Sequence, residues 1–296
     1  MANRIDVLKT YKLYINGKFP RTESGRYYQP KGAKGESLGN ICLASRKDFR
    51  NAVVAARKAQ QAWSSRSAFN RGQILYRIAE HMESRKAEFV ELLGKEEGLS
   101  SAKSKSKIES LIDRIVYYAG WTDKFQQLFS SVNPVASSHF NFSMLEPVGV
   151  VSVLCDEKVG FEGLVTAISS IIGSGNSLVL LASKNSPTSA ITFAEVLHHS
   201  DLPAGVVNIL SGDRDELATH IAKHMDVNAL LYCGDDEKLL KELQTESANN
   251  LKRIIHWSAE DNSEEYLESP YRIQEFLETK TTWHPVEQIG GSAPAY

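Results

Sequence analysis

Three cysteines are the residues best suited to covalent chemistry, because a cysteine thiolate is a strong nucleophile. Cys42, Cys155 and Cys233 are widely spaced and odd in number, and no two of them form a CxxC pair. The spacing therefore predicts neither a disulfide framework nor a zinc ribbon. Cys155 and Cys233 each end a β-rich run with no neighbouring base or cation evident, so we interpret both as small buried hydrophobic residues.

Two histidine pairs are candidates for metal ligation or acid–base chemistry. His220 and His224 are four residues apart, a spacing that can place both side chains on one face of a helix. No third ligand lies nearby, so a solvated helix face is favoured and no metal site is predicted. His198 and His199 precede Asp201 at the end of a predicted helix, where histidine commonly interacts with terminal carbonyls.

Residues 146–187 contain the stretch that must position any site. A β-rich run, Val148 to Leu154, leads through the polar break Asp156 to Gly160 into an apolar run of helical length, and Ser177 to Leu181 is a second β-rich run. This order predicts a βαβ unit. Ligands of open α/β sheets bind beyond the carboxyl ends of the strands, so Asp156 to Gly160 and Leu181 to Lys184 should decide the function.

Composition excludes several classes of partner. The 296 residues are 42% hydrophobic and 24% charged, which is ordinary for a folded globular protein. Lys and Arg total 34 and Asp and Glu total 36, and the KSKSK run at 103–107 is interpreted as a solvated helix face, so neither nucleic acid nor an anionic membrane is expected. The start of the chain resembles no signal peptide, so a cytoplasmic location is expected.

Alternating strand and helix patterns surround this unit. The predicted elements are a hairpin at YINGKF turned by Asn16-Gly17, helices from Lys47 with Asp48 as the cap, at Asn70–Arg85, at Ala87–Glu97 and at Ile108–Phe129, an extended ribbon at Val132–Glu146, a helix from Pro187, a strand in LPAGVVNIL, a helix at Asp213–Lys223, a strand at Ala229–Cys233 and a β-rich run at Ile273–His284. This spacing predicts an α/β fold with a doubly wound, mainly parallel sheet.

Six motifs in one order carry a family resemblance. They are YYAGWTDK, HFNFS, EPVGVV, GSGNSLVLL, LPAGVVNILSG and FLETKTTW. Together they resemble the aldehyde dehydrogenase superfamily over nearly the whole chain. The resemblance implies a modified Rossmann cofactor domain, a catalytic domain with a nucleophilic cysteine, and a small protruding β element for oligomerisation.

The resemblance also implies that the catalytic domain is absent. LKRIIHWSAED at 251–261 looks like the end of the cofactor domain, and YRIQEFLETKTTWHP at 271–285 looks like the terminal oligomerisation strand. The few residues between them are too short for a catalytic domain, which needs on the order of 100 residues. The arrangement is most similar to the truncated, non-catalytic C-terminal module of bimodular aldehyde dehydrogenases.

The implied domains follow the same order. Residues 1–130 and 147–262 correspond to the Rossmann-like domain, residues 131–146 and 271–287 to the oligomerisation ribbon and terminal strand, and residues 288–296 to a flexible tail.

The family's catalytic positions carry unsuitable residues here. The Pro-Trp-Asn loop whose Asn donates to the oxyanion aligns with Asp156, Glu157 and Lys158, and two carboxylates would oppose developing negative charge. The general-base Glu falls at Trp257, with Glu260 as an alternative only if the alignment slips by three residues. The nucleophile lies in the missing segment, so we predict no catalytic residue.

The cofactor positions are partly kept. The ribose-contacting Lys aligns with Leu181, the following Pro with Ala182 and a nearby Glu with Lys184. Gly212 and Gly234 match family glycines that let the backbone approach the dinucleotide, and they are our candidate cofactor-binding residues.

The helix after Gly234 argues against a bound phosphate. The pyrophosphate-binding Ser is replaced by Asp235, and Asp236 and Glu237 follow it. Their side chains can cap the helix themselves, and their charge repels phosphate. We therefore expect no cofactor, with NAD as the open alternative.

The assembly motifs are retained. Phe276, Thr279, Thr281 and Trp283 resemble the terminal strand that pairs with another subunit's sheet, although a strand that pairs only within its own chain is the alternative. The leading hypothesis is a non-catalytic subunit that forms a homo-oligomer, or a hetero-oligomer with a full-length aldehyde dehydrogenase. The alternative is an NAD-binding oxidoreductase or NAD sensor that is active only with a partner chain.

Overall fold

The computed structural model describes residues 7–258 and 267–286. The helices are α1 (Arg46–Ser64), α2 (Ala68–Ser84), α3 (Lys86–Glu96), α4 (Ser101–Trp121), α5 (Phe125–Phe129), α6 (Phe161–Gly173), α7 (Pro187–His198), α8 (Arg214–Lys223), α9 (Glu237–Ser247) and α10 (Tyr271–Gln274). The strands are β1 (Thr10–Tyr11), β2 (Tyr27–Tyr28), β3 (Asn40–Cys42), β4 (Ser131–Asn133), β5 (His139–Pro147), β6 (Val150–Leu154), β7 (Ser177–Ala182), β8 (Val207–Ser211), β9 (Ala229–Cys233), β10 (Arg253–Trp257) and β11 (Leu277–Pro285).

The central sheet has five parallel strands in the order β10-β9-β6-β7-β8. Every residue of β6, β7, β8 and β9 is buried, as expected for parallel strands with both faces covered. The chain runs outward from β6 through β7 to β8 and then returns to β9 on the other side of β6. The predicted α/β class with a parallel sheet is confirmed, and the topological switch point lies between β6 and β9.

Helices cover both faces of this sheet. Apolar residues of α1 and α8 pack on one face, against side chains such as Val150, Leu154 and Leu181. On the other face, α2, α4, α6 and α7 pack against Val151 and Val153. Alternate residues of one strand thus face different helical layers, and the loops at the carboxyl ends of the strands lie between two rigid walls.

The amino-terminal region confirms one predicted turn and corrects one predicted cap. Asn16 and Gly17 both have positive φ, and Ile15 pairs with Lys18, as expected for a tight hairpin. The cap of α1 is Ser45 rather than Asp48. Asp48 occupies the third helical position and accepts from the Ser45 backbone N–H at 2.9 Å, which completes a capping box.

The predicted starts of α4 and of the last β-rich run were wrong, because neighbouring residues begin a helix in each case. Helix α4 begins at Ser101 rather than Ile108, because Ser100 caps it by accepting from the Lys103 N–H, and the KSKSK run lies within its first turns. The β-rich run predicted from Ile273 starts only at Leu277, because Pro270 opens the short helix α10. The predicted tail 288–296 and Glu260 lie outside the described residues.

A separate antiparallel sheet is formed by β11, β5 and β4, in that order. β11 pairs with β5 over nine residues, from Leu277 opposite Pro147 to Pro285 opposite His139. The buried Asn176 links this sheet to the core: its Oδ1 accepts from Gly149 N–H at 2.7 Å, and its Nδ2 donates to Ser174 Oγ at 2.7 Å and to Phe276 O at 2.8 Å. One amide therefore connects the start of β6 with the residue that precedes β11.

Replacing Asn176 with alanine should destabilise the fold. Three partner groups lose their hydrogen bonds in a fully buried site, so the free energy of unfolding should fall by about 2–3 kcal/mol. Denaturant unfolding measures the change. The matched control is Asn249→Ala, because exposed Asn249 makes one hydrogen bond of 3.5 Å and its loss should change stability by less than about 0.5 kcal/mol. Equal effects of both substitutions would contradict the role of Asn176.

Candidate functional site

The candidate site lies at the carboxyl edge of the central sheet. The loops after β6, β7, β8 and β9 meet there, and the sequence-predicted residues come together in them. A cavity of about 340 Å³ opens between the loops and the starts of α8 and α9. Its lining residues are Glu157, Lys184, Asn185, Arg214, Asp215, Asp236 and Leu239. We call this region the cleft.

The acidic residues of the loop after β6 are used to hold backbone. Asp156 is buried, and its Oδ1 accepts from the N–H groups of Lys158 and, at 3.3 Å, Val159. Glu157 Oε2 accepts from Ser183 Oγ at 2.6 Å and from Lys184 N–H at 2.7 Å. Both carboxylates therefore fix the loops after β6 and β7 through bonds to the chain itself.

Three ion pairs cross the cleft, and we call them the cleft network. Lys158 Nζ lies 3.0 Å from Asp235 Oδ2, Lys184 Nζ lies 2.6 Å from Asp213 Oδ2, and Arg214 Nη2 lies 3.7 Å from Glu157 Oε1. The Lys184 ammonium lowers the pKa of the Asp213 carboxyl, and the Asp235 carboxylate raises the pKa of the Lys158 ammonium. Cations and carboxylates at the cleft thus neutralise each other.

Arg214 and Asp213 are the members of this network that sequence reasoning missed. Arg214 also donates to the Cys155 carbonyl and lies over the Tyr232 ring, with its Cζ 5.9 Å from the ring centroid. A helix-cap signature at Asp213, an Asp directly after a strand and before a helical pattern, was available from the sequence. The pairing of Arg214 with Glu157 was not, because it joins loops 57 residues apart in the chain.

The N-termini of both helices at the cleft are capped from within the chain. Asp213 Oδ1 accepts from the Asp215 N–H at 2.9 Å and from the Glu216 N–H at 3.4 Å, at the start of α8. Asp236 Oδ1 accepts from the N–H groups of Lys238 and Leu239 at 3.0 and 3.1 Å, at the start of α9. Two of the N–H groups that could receive a phosphate at each helix start therefore already bind a carboxylate.

The two candidate cofactor glycines lie close to their own neighbours. A Cβ at Gly212 would lie 3.3 Å from the side chain of Leu181, which is itself buried in the core. Gly234 has a φ of +143° and its Cβ would lie 3.0 Å from the Tyr232 hydroxyl, so the turn itself requires glycine. The hydroxyl of Tyr232 also accepts from the Asp236 N–H at 3.1 Å. These contacts account for both glycines without a ligand.

The residues at the cleft do not fit a dinucleotide. Leu181 offers no donor to a ribose, two N–H groups at each helix start are already bound by a capping carboxylate, and Asp235, Asp236 and Glu237 add negative charge at that place. Lys158, Lys184 and Arg214 are cations at the cleft, and each is paired with a carboxylate.

The thiols near the cleft are poor nucleophiles. Cys155 and Cys233 end adjacent strands and are buried, and all three cysteines are free. Burial raises the pKa of Cys233 to about 12 and the pKa of Cys155 well above its ordinary value. A thiol that stays protonated near neutral pH neither attacks a carbonyl nor binds a metal readily.

Trp257, which the sequence resemblance aligns with a general base, is held by packing at the end of β10. Trp257 is buried, its Nε1 donates to Glu275 Oε2 at 2.7 Å, and the Arg272 guanidinium lies 4.3 Å from the centre of its ring. An indole N–H is a donor and cannot remove a proton from water. The region of α10 therefore covers the end of β10.

The histidine pairs play structural roles. His220 contacts Arg46, His224 follows the last residue of α8 and packs on Phe49, and His199 Nδ1 lies 2.7 Å from the Glu195 carbonyl. Within residues 7–258 and 267–286, no group of three or more His, Cys, Asp or Glu side chains is arranged to hold a metal ion. Over the same residues, no helix is long and apolar enough to cross a membrane.

A larger cavity than the cleft lies elsewhere. It has a volume of about 860 Å³ and lies between exposed faces of α2 and α4, lined by residues such as Phe69, Tyr76 and Arg77. It contains none of the strand-end residues discussed above. The carboxyl edge remains the better candidate, because the switch point of the sheet and the convergent polar loops lie there.

Comparison with known sequences identifies the family. The fold and the strand-end loops are those of a Rossmann-type α/β protein, and the aldehyde dehydrogenase family model matches residues 20–257. This chain belongs to the aldehyde dehydrogenase family. A putative aldehyde dehydrogenase of Bacillus subtilis is 31% identical over 249 residues, which are 83% of this chain and 50% of that protein.

A second relative has a similar identity and coverage. The D-glyceraldehyde dehydrogenase (NADP(+)) of Thermoplasma acidophilum is 30% identical over 248 residues, which are 82% of this chain and 49% of that protein. The chain spans about half the length of the curated relatives it matches.

Solved structures share the fold. The NAD+ complex of an aldehyde dehydrogenase from Bacillus cereus superposes with a TM-score of 0.79 at 24% identity, covering 84% of this chain and 51% of that chain. PnpE from a Pseudomonas species also has a TM-score of 0.79, at 26% identity, and covers 84% of this chain and 50% of its own.

The raised thiol pKa values predict a chemical result. In the native protein near pH 8, Cys42, Cys155 and Cys233 should not react with an aromatic disulfide reagent, because all three are buried and the latter two stay protonated. The same protein unfolded in denaturant serves as the control and should release about three equivalents, one for each cysteine. One equivalent released rapidly from the native protein would show that a thiol is accessible and activated.

Proposed function

We propose that this chain is a non-catalytic aldehyde dehydrogenase-like subunit that acts through assembly, with itself or with a full-length aldehyde dehydrogenase. The observation that carries the proposal is the cleft network, which fills the family's cofactor cleft with the chain's own paired charges. The nine-residue strand β11, in contrast, presents an exposed edge that suits pairing with another chain.

Loss of catalysis is supported by three replacements. The loop that would donate to an oxyanion carries Asp156 and Glu157, whose charge opposes such an intermediate. Trp257 stands where the family has its general base. Only nineteen residues, 258–276, separate β10 from β11, which is too few for a catalytic domain of on the order of 100 residues.

The second candidate is an NAD-binding oxidoreductase or NAD sensor that is active only with a partner chain. The NAD+ complex of the Bacillus cereus enzyme and the NADP(+) in the name of the Thermoplasma relative favour this candidate by kinship. Asp235 and Asp236 weigh against it, because they bring charge of the same sign as the pyrophosphate to the start of α9. We therefore place cofactor binding second.

Assembly is supported by the exposed antiparallel sheet. Both of its faces carry exposed side chains, including Phe140 and Met144 on one face and Trp283 on the other. Exposed aromatic and apolar side chains beside an open strand edge are typical of a surface that another chain covers. The same sheet has no part in the cleft, so assembly does not require the cofactor site.

Mass measurement of the purified chain, alone and co-expressed with full-length aldehyde dehydrogenases, tests this proposal. We expect a homo-oligomer or a stable mixed complex. The substitution Thr281→Lys should weaken either assembly about five-fold, because a charge on the paired edge costs on the order of 1 kcal/mol. Ser106→Lys, on the exposed face of α4, adds the same charge away from the sheet and should leave assembly unchanged. A strictly monomeric chain that captures no partner would refute the proposal.

A further inference from the structure

We propose that β11 pairs antiparallel with β11 of a second copy of this chain, across a two-fold axis through Thr281. This inference rests on the proposed function, because it specifies which partner and which register the assembly strand uses. The result would be one continuous six-stranded sheet, in the order β4-β5-β11 followed by the same three strands of the second copy in reverse.

The edge of β11 is long and regular enough for such pairing. One side of β11 is bonded to β5 in unbroken register over all nine residues, without a bulge. The other side faces no strand among the residues that the structure describes. Nine residues at about 3.4 Å each present a row of backbone donors and acceptors roughly 30 Å long.

The alternation of side chains restricts the register. Residues directly opposite each other on paired strands must point to the same face of the sheet. Two copies of one strand, related by a two-fold axis perpendicular to the sheet, satisfy this only if one residue lies directly opposite the same residue of the second copy. The axis then passes midway between these two residues. Thr281 is the midpoint of Leu277–Pro285, so an axis there pairs all nine residues, and any other centre leaves residues at both ends unpaired.

Charge disfavours one of the neighbouring centres. With the axis at Thr281, Glu278 lies opposite His284 of the second copy, and Thr279 lies opposite Trp283 of the second copy. In the first pair a carboxylate faces an imidazole, and in the second a β-branched residue faces an aromatic ring. Both are favourable cross-strand pairs. An axis one residue earlier would place Lys280 directly opposite Lys280 of the second copy, and like charges opposite each other are destabilising.

The proposed register also leaves the existing ion pair intact. Lys280 Nζ lies 2.9 Å from Glu146 Oε1 on the neighbouring strand β5. Opposite Thr282 of the second copy, Lys280 meets no second cation and keeps this partner. The one lysine on the edge strand therefore disfavours the shifted register without opposing the centred one.

Site-directed cross-linking tests the register. Thr281→Cys places a thiol opposite its own symmetry mate, with the two Cα atoms about 4.5–5.5 Å apart, which a disulfide can span. Oxidation by diamide joins the two thiols, and the diazene takes up the two electrons and two protons as it becomes a hydrazine. The matched control is Thr279→Cys, whose symmetry mate would be four residues further along the strand and well beyond the limit of about 7 Å.

The expected result is covalent dimer from Thr281→Cys, at least about ten-fold more than from Thr279→Cys alone, because only the former pair is within bonding distance. A mixture of Thr279→Cys with Trp283→Cys should also cross-link, because these positions lie opposite each other. The three natural cysteines are buried and do not compete.

The masses of the untreated samples separate the two proposals. If the chain is a dimer but only Thr279→Cys cross-links, or neither Thr279→Cys nor Thr281→Cys does, the proposed register is wrong. The proposed function is not contradicted by that result. A chain that is monomeric by itself and captures a full-length aldehyde dehydrogenase likewise overturns only self-pairing. A monomer that captures no partner overturns both.

Discussion

The capping of α8 and α9 by Asp213 and Asp236 is the interaction on which the state of the cleft depends. A helix that starts at the carboxyl edge of a parallel sheet presents free N–H groups and the positive end of its dipole. In this chain two of those groups at each helix bind a carboxylate from the same polypeptide. Both helix starts are thereby capped without a ligand, and the cations Lys158 and Lys184 pair with carboxylates of the same loops.

The fold is kept although the polar loops at the cleft bind one another. The parallel sheet and its two helical layers depend on buried apolar strands, which are intact in β6, β7, β8 and β9. The strand ends and the loops after them carry Glu157, Leu181 and Trp257. Leu181 and Trp257 are themselves buried in the core, so at these two positions the side chains contribute to packing.

The sequence predicted the core elements closely and the cleft only in part. Ala229–Cys233 was placed correctly because a fully buried strand leaves an uninterrupted apolar run. The α4 boundary was missed because its first turns carry lysines and serines, so the capping Ser100 was the available signal. The Arg214–Glu157 pair was beyond sequence reasoning, since partners distant in the chain are joined only by the folded sheet.

Residue identity and geometry contribute differently to the two surfaces. At the cleft, apolar and acidic residues were visible in the sequence, and the structure supplied what those residues contact. At β11 the sequence suggested assembly, and the register with β5 gave the length and midpoint of the exposed edge. The polar groups of the cleft are thus paired with one another, whereas one edge of β11 pairs with no strand among the described residues.

Calorimetric titration of the purified chain with NAD+ and NADH, up to millimolar cofactor, tests most directly whether the cleft is closed. We expect no saturable heat and no thermal shift, because Asp213 and Asp236 cap the starts of α8 and α9 and bind N–H groups that a phosphate would need. Saturable binding of one NAD+ per chain in the micromolar range would contradict it.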